Sequence, residues 1–168
     1  MGVDIHMYFQ YRKSEGEFEE LALYVPNKDG FKRIPVIGGR PKEMMDILDG
    51  DGDYVPAFSA IDVKKMAPSI YARYIKAFPE DKKFTGCYDP HMLNAAMLQN
   101  YLLEHPTVID YDANWTDEMI NGEALKPTKQ NPLFYLFQQL NFYMEAYGLN
   151  WDNDSVYSDI YLVYWFDC

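Results

Sequence analysis

The sequence predicts an α+β protein: an antiparallel sheet, made of N-terminal hairpin strands plus a C-terminal strand, covered by several helices. Three observations carry this. Both ends are β-rich, capped helical segments fill the middle, and one long apolar helix precedes the last strand. Residues 3 to 12 alternate, with Val3, Ile5, Met7, Phe9 and Tyr11 set between Asp4, His6, Tyr8, Gln10 and Arg12, the period of a strand. Ser14 to Glu17 is a hairpin turn, and Phe18 to Val25 returns as a second strand. Turn residues crowd Pro26 to Gly30, and Phe31 to Ile37 reads as a third strand broken by Pro35.

Helices follow. Pro41 suits the first turn of a short helix through Leu48, and Asp62 to Met66 forms one turn. Pro68 starts a helix to about Phe78. Asp89 as N-cap with Pro90 behind it predicts a helix to Glu104, stopped before Pro106. Thr116 opens a short helix ending near Gly122. Asn131 and Pro132 open a helix over Leu133 to Tyr147, which Gly148 stops. Its wide apolar face, including Leu133, Leu136, Leu140 and Met144, makes it the expected core helix across the sheet. Val156 to Phe166 reads as a β-rich run to the end.

Composition bounds the class. The 168 residues suit a single domain, 1–168, and 48% apolar with 17% aromatic content is far too much for a disordered chain. No apolar run approaches a membrane span, the N-terminus lacks a signal-peptide pattern, and His6 makes the Met-Gly opening a weak myristoylation signal. Two cysteines, Cys87 and Cys168, do not make a disulfide framework, which fits a cytoplasmic protein. The formal charge of -11 repels nucleic acid and anionic lipid, so neither direct nucleic-acid binding nor a membrane is expected. The basic clusters, Lys64-Lys65, Lys82-Lys83 and Lys32-Arg33 near Arg40, are short. Acidity can serve solubility alone, or it can draw the chain to a basic partner surface.

The opening MGVDIH and the closing YLVYWFDC resemble an uncharacterised family of phage and bacterial proteins that begin MGCDIH and end in a strand like VFWFDN. The likeness covers about twenty residues at the two ends and is not traced through the middle. It implies a compact phage or prophage-type accessory protein and carries no activity with it. Val3 stands where the family has Cys, which removes one thiolate.

Three constellations bear chemistry. Asp4 and His6 lie two apart on a strand, about 7 Å apart on one face, so carboxylate and imidazole suit a divalent metal, zinc first. If the first and last strands pair antiparallel, Asp167 joins them. The alternative is a hydrogen-bonded clip between the terminal strands. Cys87 and His91, four apart, would supply two further zinc ligands, although Asp89 and Pro90 already explain this segment as a helix start. Asp49, Asp51 and Asp53 resemble the start of a calcium loop, but Tyr54 and Ala60 occupy the required Gly and Glu positions. They read instead as an acidic turn able to meet a basic partner. Gly38-Gly39-Arg40 lacks the rest of a phosphate loop.

No catalytic signature appears beyond these, and the sequence favours a binding module over an enzyme. Three readings follow. The first is a small acidic accessory protein that binds a host protein and inhibits a nucleic-acid-targeting defence enzyme, in the manner of an anti-CRISPR, any metal being structural. The second is a metal-dependent hydrolase of a nucleotide or phosphodiester at Asp4, His6 and Asp167. The third is a module that sequesters a small nucleotide.

Overall fold

The computed structural model describes residues 4–36, 41–48, 60–79, 89–152 and 154–167. Its elements run β1 (Asp4–Ser14), β2 (Glu17–Leu21), β3 (Tyr24–Asn27), β4 (Gly30–Arg33), α1 (Pro41–Leu48), α2 (Ala60–Met66), α3 (Pro68–Ala77), β5 (His91–Asn94) and α4 (Ala95–Glu104). Then come β6 (Thr107–Ile109), α5 (Asp117–Ile120), β7 (Thr128–Gln130), α6 (Leu133–Ala146), α7 (Asp154–Asp159) and β8 (Ile160–Asp167). The main sheet is antiparallel in the order β2-β1-β8-β5, with two small hairpins beside it, so the α+β expectation holds.

The first and last strands are neighbours, paired from Asp4 opposite Asp167 to Tyr11 opposite Ile160. Successive strand side chains point to opposite faces, so β8 serves two cores at once. Ile160, Leu162, Tyr164 and Phe166 meet Met7 and Phe9 in the larger core, which α1, α4 and α6 complete. Tyr161, Val163 and Trp165 face the other way, against Val63, Ile70 and Tyr74 of α2 and α3. Both faces of β8 are therefore dry. This explains a continuous apolar run where a half-buried strand would alternate.

The buried polar residues Gln10 and Asn131 are both paired. Gln10 is 1% exposed, and its amide donates to the Met66 carbonyl at 2.5 Å, tying β1 to α2. Left unpaired, that amide would cost about 1–3 kcal/mol. Asn131, also buried, donates to the His105 carbonyl and accepts from the Leu133 N–H, both at 3.0 Å. Its own N–H donates to the Pro106 carbonyl at 3.0 Å, so one residue closes the neck of the excursion between Pro106 and Asn131. At the far end of α6, Gly148 adopts φ 69°. There the Leu149 N–H reaches the Met144 carbonyl and the Gly148 N–H that of Glu145, the glycine stop that the sequence predicts.

Three segments differ from expectation. The strand expected over Phe18 to Val25 breaks after Leu21, because Ala22 turns its N–H and carbonyl to the Tyr147 hydroxyl, each at 3.0 Å. Tyr24–Asn27 then pairs with Gly30–Arg33 in a separate hairpin, which stops before Pro35. The helix expected from Pro90 begins only at Ala95. His91–Asn94 pairs with β8, and Asn94, not Asp89, caps the helix by accepting from the Met97 N–H at 2.8 Å. The C-terminal run is helical until Asp159: Val156 and Ile160, four apart, both enter the larger core, and Arg12 donates to Asp159 at 2.8 Å.

Candidate functional site

β1 and β8 bring the two terminal motifs together. Asp4 lies opposite Asp167 and His6 opposite Trp165. The His6 ring stacks on Trp165 with centroids 5.1 Å apart, and Tyr8 stacks on the same indole at 5.3 Å. Asp167 approaches His6 Nε2 to 3.8 Å, beyond hydrogen-bond range. His6 Nε2 and Trp165 Nε1 are buried without a hydrogen-bond partner among the described residues. His6 and Asp167 therefore approach each other across the two strands without forming the hydrogen-bonded clip that the sequence offers as the alternative.

His91 does not join them. His91 lies opposite Tyr164, one residue from Trp165, so it points to the opposite face of the sheet from His6. It tilts against Tyr164 at 5.8 Å. The two imidazoles therefore cannot share one ion, because adjacent positions on β8 face opposite ways. Cys87, Gly38-Gly39-Arg40 and the acidic turn Asp49, Asp51 and Asp53 lie outside the described residues. Among the described residues, no group of three or more His, Cys, Asp or Glu is placed to hold a metal.

Next to His6 lies a feature that no motif announced. β2 pairs with β1 only from Phe9 onward. Among the described residues, no strand covers Asp4–Tyr8 on the side away from β8. A cavity of about 430 Å³ occupies this gap, with His6, Tyr8, Arg33, Pro35, Val36 and Arg73 in its wall. The guanidinium carbons of Arg33 and Arg73 sit over the Tyr8 ring, 4.9 and 5.1 Å from its centre. Glu20 holds both: it pairs with Arg33, and its two oxygens take the Arg73 guanidinium at 2.9 and 2.8 Å. Burial first, then the neighbouring Arg73 charge, pulls the Arg33 guanidinium down from its usual value.

The excursion from Thr107 to Gln130 differs in kind. None of its residues is in the buried core, and Val108 alone packs against it as a partly buried residue. It is nonetheless well built. β6 pairs with β7, the Thr116 hydroxyl caps α5 by accepting from the Met119 N–H at 3.3 Å, and the Trp115 indole donates to the Asp110 carbonyl at 2.9 Å. Tyr111 stacks on Trp115. Leu125 is 92% exposed, Tyr111 77% and Ile120 65%. Asp110, Asp112, Asp117, Glu118 and Glu123 lie among them, and 110–125 contains no Lys or Arg. That acid-only run was legible in the sequence. The joining of Arg33 and Arg73, forty residues apart, was not.

Compared with protein-family models, curated proteins and solved structures, the chain matches none. Among the described residues, no helix is long and apolar enough to cross a membrane.

Proposed function

We propose that this chain is an acidic interaction module of the phage-accessory type. It docks in the cytoplasm on the basic groove of a host nucleic-acid-targeting defence enzyme and blocks that groove, an anti-CRISPR-like role. The excursion at Thr107–Gln130 is the observation that carries this reading. It is folded, it carries five acids, and it exposes Tyr111, Ile120 and Leu125 without adding a buried residue to the core. Its exposed apolar side chains are thus not explained by the core, while apolar anchors ringed by charge suit a protein interface. Asp49, Asp51 and Asp53 add to the net negative charge of the chain. The metal-dependent hydrolase is not adopted, because Asp4, His6 and Asp167 share one end of the β1–β8 ladder but, among the described residues, no group of three such side chains is placed to hold a metal.

The test uses the immobilised chain to recover a partner from host lysate at low salt. The partner should be a basic, nucleic-acid-binding protein. Its nucleic-acid ligand should compete with the chain, and the complex should weaken steeply as salt rises, since exposed charges are screened beyond about 8 Å at physiological ionic strength. Replacing Glu118 and Glu123 by Lys should slow association, and Leu125→Ser should speed dissociation. A partner that binds both variants and wild type alike, at any salt, would sink the proposal.

A further inference from the structure

We infer that the cavity beside the open edge of β1 binds a small phosphate monoester of about nucleoside-monophosphate size. This stands on different residues from the docking surface and does not depend on it. Arg33 and Arg73 bring two positive charges over one ring, and Glu20 is the only carboxylate in ion-pair contact with either guanidinium among the described residues. The cluster keeps an excess of one positive charge in a chain of net charge -11. Like charges that close repel, and burial strips their hydration, so the arrangement favours an anion that takes donors from both forks. Phosphate fits best, because its several oxygens accept from two planar guanidiniums together.

The walls specify the rest. Pro35 and Val36 supply apolar surface, and Tyr8, its ring held between Trp165 and the two guanidiniums, and His6 complete the wall. A volume of about 430 Å³ falls within the usual range for a small organic ligand and exceeds what inorganic phosphate fills. Glu20 pre-orders both arginines, so little side-chain freedom remains to be lost on binding. The exposed Arg73 end of the cluster, 42% accessible against 24% for Arg33, is the side open to solvent.

Calorimetric titration of the full chain with inorganic phosphate, adenosine 5′-monophosphate and adenosine tests this. The monophosphate should bind more tightly than phosphate, and adenosine should not bind. Arg73→Gln should weaken the monophosphate about tenfold or more, the order expected for losing one charge-assisted fork. Arg33→Gln should do the same. Since Arg33 is partly buried, its variant counts only if its melting temperature stays within a few degrees of wild type, while exposed Arg73 supplies the independent arm. No binding of either phosphate up to about 5 mM, where only affinities weaker than millimolar escape detection, would overturn the inference. So would binding that survives Arg73→Gln, or adenosine binding as tightly as its monophosphate.

Discussion

β8 and the excursion at Thr107–Gln130 are both rich in large apolar side chains, yet they use them in opposite ways. In β8, Tyr161, Tyr164, Trp165 and Phe166 are all buried, and the strand feeds a core on each face of the sheet. In the excursion, Tyr111, Ile120 and Leu125 stand in solvent on a frame fixed by caps and turns. The contrast shows that aromatic content carries no single meaning. A large side chain stabilises the fold where two layers of helices dry both sides of its strand, and it remains available to a partner where the backbone leaves the layers.

The comparison breaks most readily at β8. Phe166→Ala should cost about 3–5 kcal/mol, because it removes a fully buried ring from the larger core. Urea unfolding measures this, and a loss under 1 kcal/mol would mean that β8 is not the shared wall of two cores.

A smaller effect is expected from the tyrosines that border the sheet. Tyr143 and Tyr161 hold their protons above the usual tyrosine value, burial being the largest cause in each. The native state therefore binds these protons more tightly than the unfolded chain does. The resulting stability is fully present below the unfolded-state value of about 10 and is lost as pH rises through the folded values. The urea midpoint should fall above about pH 10, and the fall should be shallower when Tyr143 and Tyr161 are both Phe. Near neutral pH, Tyr143→Phe alone should cost about 0.5–1.5 kcal/mol, from the hydrogen bond its hydroxyl donates to the Ile34 carbonyl at 3.3 Å. An alkaline fall of unchanged slope in the double variant would assign the loss to other groups.

The smallest effect sharpens the comparison from the other side. Leu125→Ser should change stability by no more than about 0.5 kcal/mol, since nothing is packed on it. If it destabilises the fold as Phe166→Ala does, the excursion is part of the core and not a platform.

Much of the framework was legible because local chemistry decided it. Pro41 and Pro68 mark helix starts, Gly148 marks a stop, and alternation from Asp4 to Tyr11 marks a strand. The pairing of the termini followed from two β-rich ends. The failures occur where tertiary contacts outbid local signals. Asp89-Pro90 is a sound helix start, but the main-chain partners offered by β8 draw His91–Asn94 into the sheet and move the cap to Asn94. The strand expected across Ala22 broke because Tyr147, 125 residues away, satisfies its backbone. The arginine cavity was hidden for the same reason. Arg33 and Arg73 meet only through Glu20 and Tyr8, and no spacing rule links four residues from four segments.

The placement of β8 between β1 and β5 has a consequence for biosynthesis. Arg12 and its partner Asp159 are 147 residues apart, and the whole β1–β8 ladder shares this long separation. At about 5–20 residues per second, a ribosome exposes β1 for roughly 7–30 s before the strand that must lie beside it is made. During that interval Met7 and Phe9 have no wall to face, and the hairpin to β2 is too small to persist alone. High contact order then places completion in the slower range of milliseconds to seconds. Until β8 emerges, the nascent β1 keeps an unpaired edge and an apolar face in water, the combination that makes an incomplete sheet prone to aggregate.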